Sequence, residues 1–217
     1  WFDAAGLDAP TDFAKMLAAA EHFNDPDNNV YGIAVATDPG AVFTQQSFEH
    51  FALANGVQLT DNEGNVTLDT PEMVEAITFY TDLVTQYGPP GVIDVVSSRA
   101  TYFAGQAAMV VWSPFILDEM AGLRDNALPN CPECLDDPSF LAGASGFVPA
   151  FIGPDGTEPA QYGQVSMMGI TTSAAPETID FVKFWLSDGY LDWLAVAPEG
   201  KVPMRPGTPQ NPTRVLE

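Results

Sequence analysis

The sequence predicts an α/β fold. Short apolar runs of strand length alternate with longer stretches of helical periodicity, and Pro, Gly, Asp and Asn cluster at the breaks between them. No internal repeat or low-complexity segment interrupts that alternation. At 217 residues, 46% of them hydrophobic, the chain can build the core of one large domain or of two small lobes.

The first helix opens at Ala9-Pro10-Thr11-Asp12. Thr11 or Asp12 can cap it, and Phe13, Met16, Leu17 and Ala20 recur at helical spacing. It ends near Asn24, where Asp25-Pro26-Asp27-Asn28-Asn29 reads as a turn. That acidic stretch is only loosely like a calcium loop, because the Gly expected at the sixth position is absent. Residues 30–36 form a short buried strand, Asp38-Pro39-Gly40 breaks it, and a helix over 44–54 stops at a left-handed cap on Asn55-Gly56. Residues 58–68 alternate about a polar Gly-containing turn, a hairpin signal.

Asp69-Thr70-Pro71-Glu72 then starts a helix, with Pro in its first turn and Met73, Ala76, Ile77, Tyr80, Leu83 and Val84 on one stripe. A short helix over 97–103 ends at Gly105, residues 107–112 are a buried strand, and Ser113-Pro114 opens a helix through Met120. From 126 to 162 the chain is rich in Pro, Gly and Asp, with one strand expected over 146–152. A strand over 164–172, a well-capped helix over 176–186, a short helix over 190–196 and an extended tail from Pro198 complete the prediction.

The charge balance excludes whole classes of function. With 29 acidic against 7 basic residues, the net charge of −22 opposes nucleic acid, whose binding requires Lys and Arg to displace counterions. It equally disfavours anionic membrane surfaces. The acids are spread along the chain, with Asp118-Glu119 and Asp136-Asp137 the adjacent pairs, so they read as a hydrated surface rather than a cation site. No apolar run approaches the roughly 20 residues needed to span a bilayer. The chain opens at Trp1 without Met or a signal-like segment and reads as a piece of a longer protein.

The two cysteines stand in Cys131-Pro132-Glu133-Cys134 and admit three readings. One is half of a zinc site, for which no second ligand pair lies nearby. Another is a redox pair, although its Pro- and Asn-rich surroundings are not the strand-to-helix turn such chemistry uses. The default is a small disulfide pinning its loop, which implies an oxidising compartment.

Motifs for catalysis are missing from the sequence. His22 and His50 each lie inside a predicted helix, and there is no GxSxG, phosphate loop or HExxH. The sequence therefore reads as a non-enzyme with no cofactor and no metal. A fragment of a carbohydrate-active enzyme, or a thiol-redox protein using Cys131 and Cys134, is the alternative.

Four groups of residues, in order, resemble the maltose-binding-protein-like extracellular solute-binding proteins of sugar ABC transporters. They are Ala5-Gly6-Leu7-Asp8-Ala9-Pro10-Thr11; Ala54-Asn55-Gly56 with the 62–69 hairpin and Pro71-Glu72; Phe103-Ala104-Gly105-Gln106-Ala107-Ala108-Met109; and Gly169-Ile170 with Ala175-Pro176-Glu177, Phe181-Val182-Lys183-Phe184 and Gly200-Lys201-Val202-Pro203-Met204-Arg205. The resemblance implies a type II periplasmic-binding-protein-like fold of two lobes. Residues 1–145 and 188–217 would belong to the C-terminal lobe, and 146–187 would be a returning segment of the N-terminal lobe. It further implies a monomer in the periplasm or outside the cell, compatible with a lipid anchor. That monomer would bind a sugar or oligosaccharide in an interlobe cleft and deliver it to the permease subunits of an ABC importer. The loop holding the two cysteines departs from the family pattern.

Sugars present apolar faces and hydroxyl edges, so a site for them needs aromatic rings beside paired polar groups. The resemblance points to Trp112 and Phe115 as stacking rings. It also singles out Asp38, Phe43, Gln45, Gln46 and Glu49, which lie between strand and helix. Ser166 and Met167 fall on the returning segment, and Arg205 can meet either ligand or an ion-pair partner.

Overall fold

The computed structural model describes residues 1–196 and Pro203. Its helices are α1 (Phe2–Ala5), α2 (Phe13–Phe23), α3 (Val42–Ala54), α4 (Pro71–Tyr87), α5 (Val95–Phe103), α6 (Ile116–Met120), α7 (Phe140–Ala144), α8 (Thr178–Trp185) and α9 (Asp188–Leu194). Two parallel strands, β1 (Tyr31–Ala34) and β2 (Ala107–Val110), pair Tyr31 with Ala107 and Ile33 with Met109. The chain divides into two compact units. The first comprises Trp1–Trp112 and Met120–Gly163; the second comprises Ser113–Glu119 and the chain from Gln164.

In the first unit, local chemistry sets the helix ends. Asp12 caps α2 by accepting the Lys15 N–H at 2.8 Å, and Thr70 caps α4 by accepting that of Met73. Asp94 and Ser97 close a reciprocal capping box on α5. That box starts α5 at Val95 rather than Ser97 and holds the exposed Asp94 carboxyl below the usual carboxylate range. Gly32 lets α2 lie directly on β1, because a Cβ there would stand 2.2 Å from the Ala20 carbonyl oxygen. Behind the strands, Phe13, Phe51, Phe79 and Phe151 pack face and edge, with Phe13 and Phe79 stacked at 3.9 Å. Ile33, Val35, Leu83 and Met109 complete this core.

Two expected strands do not form. Residues 146–152 contribute single bridges instead: Ile152 exchanges backbone bonds with Thr11 and Phe13, and Phe151 pairs with Ala160. Pro149 has no N–H to give a ladder, and Gly153 turns the chain away. Residues 164–172 are exposed throughout and pair with no strand among the described residues. Alternation alone supplies no partner. The expected cap on the helix near Pro176 also differs. A turn from Ala175 to Thr178 delays α8 to Thr178, and Glu177 makes no side-chain cap bond.

Cys131 and Cys134 are joined as a disulfide and are buried. Their loop is tied to the end of α5 by the Asn130 N–H, which donates to the Phe103 carbonyl. Gly105, left-handed at φ +71°, clears the Cys131 side chain, where a Cβ would approach to 3.3 Å. The left-handed φ is the physical reason for the glycine in the Phe103–Met109 motif. The second unit holds the small cluster of Tyr190, Leu191 and Leu194 on α9. The predicted tail beyond Pro198, Pro203 apart, lies outside the described residues.

Candidate functional site

Parallel strands leave their C-terminal ends open to loops, and ligands in α/β sheets favour that edge. After β1 the chain remains buried through Ala36 and is then fastened down. The Thr37 and Asp38 N–H groups donate to the Ile93 carbonyl, the Ile93 N–H returns to the Thr37 hydroxyl, and the Tyr80 hydroxyl donates to the Ala36 carbonyl. Burial pushes the Tyr80 phenol up to about 12, so it remains a donor. Asp38 Oδ1 accepts the Gly40 N–H at 2.9 Å, shaping the turn that delivers Phe43 into the first turn of α3.

After β2, the Val111 N–H donates to the Ala34 carbonyl, and Trp112 follows. Its indole N–H donates to the Val95 carbonyl at 3.1 Å. The Arg99 guanidinium lies over its ring at 5.7 Å from the centroid, and the Phe43 ring tilts against it at 5.5 Å and 56°. Trp112 and Phe43 are both half-buried, so each keeps some aromatic surface in water. With its N–H already engaged, the indole offers a ligand its ring and not its donor.

The other expected residues are placed differently. Gln45 donates to Glu49 at 2.8 Å along α3. Gln46 donates to the Tyr162 hydroxyl at 3.3 Å, while the His50 Nδ1 one turn later accepts the Tyr162 N–H at 3.1 Å. Phe115, Ser166 and Met167 belong to the second unit, where Phe115 is 42% and Met167 90% exposed. Arg205 lies outside the described residues. Sequence reasoning missed Arg99 and the Val95 carbonyl. Their spacing of four residues on a helix was legible, but the ring it serves was not.

A groove of about 650 Å³ runs along α4, lined by Asp69, Glu75, Thr78 and Asp82 among others. None of the expected ligand contacts lines it. Its Glu75 carboxyl is raised by a hydrogen bond to Asp155. Among the described residues, no group of three or more His, Cys, Asp or Glu side chains could hold a metal ion, and no helix is long and apolar enough to cross a membrane.

Comparison with known proteins shows what the chain is similar to. The chain is 32% identical over 207 residues to YcjN of Escherichia coli strain K12, named as an ABC transporter periplasmic-binding protein; the match covers 92% of this chain and 43% of that one. Over nearly its whole length the chain is therefore similar to a periplasmic-binding protein of an ABC transporter, in agreement with the resemblance its motifs carry. No protein-family model matches it. Two solved structures share its fold. One is the Agrobacterium radiobacter K84 solute-binding protein with ribitol, at TM-score 0.67 and 24% identity, covering 93% of this chain and 48% of that one. The other is maltose-bound T. maritima MalE3, at TM-score 0.65 and 20% identity, covering 93% and 49%. The fold is thus the type II periplasmic-binding-protein fold, and the chain spans about half the length of the proteins it matches.

Proposed function

We propose that this chain is a stretch of a solute-binding protein that captures a sugar or polyol and delivers it to the permease of an ABC importer. The observation that carries the proposal is the Trp112–Phe43 aromatic pair at the C-terminal edge of β1 and β2. An apolar ring face held by the Val95 carbonyl and the Arg99 guanidinium suits the alternating C–H and hydroxyl surface of a carbohydrate. Ribitol and maltose, bound by the two structural relatives, are the ligand classes that suggest themselves.

Asp38 then serves by shaping the loop, and Gln45, Gln46 and Glu49 line the adjoining face of α3. Phe115, Ser166, Met167 and Arg205 are further contacts that the family pattern suggests. By the family pattern, residues 1–145 and 188–217 form one lobe and 146–187 belong to the other. The buried disulfide agrees with a periplasmic or extracellular location. The protein acts as a monomer by binding, without turnover of its ligand.

Thermal unfolding of the full-length protein against polyols, monosaccharides and disaccharides tests this. Ligand at about 100 times its Kd stabilises by about 2.7 kcal/mol, which raises the midpoint by several degrees. A shift with one carbohydrate, recovered chemically unchanged after long incubation, is the expected result. Conversion of that carbohydrate would favour the carbohydrate-active enzyme, and no shift with any of them would end the sugar reading.

A further inference from the structure

We propose that Gln46 and His50 form a pH-sensitive latch on Tyr162, the penultimate residue before the chain leaves the first compact unit. The two side chains stand one turn apart on α3 and therefore share a face. His50 Nδ1 accepts the Tyr162 backbone N–H at 3.1 Å, and the Gln46 side-chain amide donates to the Tyr162 hydroxyl at 3.3 Å. Imidazole and phenol meet edge to face, 6.0 Å apart at 77°. Two residues upstream, the Ala160 N–H donates to the carbonyl of Phe151, whose ring is in the core. The exit segment is thus fastened at two points, one of them made by a titratable group.

An imidazole nitrogen accepts a hydrogen bond only while it carries no proton, so the closed latch requires the neutral ring with its proton on Nε2. Protonation at Nδ1 would set an N–H against the Tyr162 N–H and remove the bond. The titratable group facing His50 from the other element is the Tyr162 phenol; on its own helix, the neighbouring Glu49 accepts from Gln45. Burial alone holds the imidazole below its usual value of 6.5, with no charged group contributing. A lowered pKa favours the neutral, latched form. Its stabilisation is fully present above about pH 6.5 and is lost as the pH falls through the lower value in the folded protein.

The latch can be read without any bound solute, so its failure is distinguishable from failure of the proposed binding. Amide hydrogen exchange in the intact protein between pH 8 and 4.5, corrected for the intrinsic rate, reads it at Tyr162. The expected result is protection at Tyr162 that falls below pH 6.5, while protection at Ala160 changes less. His50→Phe should remove both the protection at Tyr162 and its pH dependence. Protection at Tyr162 that is flat across the range, or that survives His50→Phe, would overturn the proposal. Nitrogen-15 spectra of the unsubstituted protein give a second reading. A neutral Nε2–H tautomer titrating below 6.5 is expected, and an Nδ1–H tautomer or a pKa of 6.5 or above would contradict it.

Discussion

The two compact units use the same kinds of helix to different ends. In the first, the apolar faces of α2 and α4 close on the strands, and Phe51 is fully buried. In the second, α8 repeats Phe181, Phe184 and Trp185 at helical spacing, yet buries none of its residues; Phe181 is 54% exposed. The preceding segment likewise leaves Val165, Met167 and Ile170 in water. An amphipathic pattern records that a face evolved against something, and burial requires that surface to be present. Under the proposed lobe assignment, the surface belongs to the longer protein of which this chain is a part.

Substitutions can break or sharpen that contrast. Phe51→Ala should cost about 3–5 kcal/mol in denaturant unfolding, by lost transfer energy and an unfilled cavity. Gly32→Ala should cost about 1–3 kcal/mol, because its new methyl meets Ala20 backbone that cannot move without displacing α2. Replacing both cysteines by Ser should cost about 2 kcal/mol, less than an ordinary disulfide, because the closed loop is so short. Removing the cap by Thr70→Ala should cost about 1 kcal/mol. Phe181→Ala should change the stability of the 217-residue chain by less than about 0.5 kcal/mol. The same substitution should cost about 2 kcal/mol or more in the full-length protein if α8 is covered there. Equal small effects in both would remove the argument from the exposed face.

What the sequence disclosed follows the same division. The starts of α2 and α4 were legible because Asp12, Thr70 and Pro71 act on their own turns. The left-handed turns at Gly56 and Gly105 were legible because few other residues tolerate that conformation. Strands over 146–152 and 164–172 were misread because pairing is decided by distant residues. The aromatic site was half legible. A Trp after a buried strand marks a sheet edge, but nothing local shows that Val95, Arg99 and Phe43 hold its ring. Likewise, His50 looked like an ordinary helix residue until Tyr162 was brought against it from 112 positions away.

The most direct test of the binding account is calorimetric titration of the full-length protein and its Trp112→Ala variant with the carbohydrate that raises the unfolding midpoint. Loss of the ring should weaken binding at least tenfold, which is about 1.4 kcal/mol, while the midpoint without ligand shifts by only a few degrees. An unchanged affinity in a folded variant would place the solute elsewhere and contradict the assignment of the site to the edge of β1 and β2.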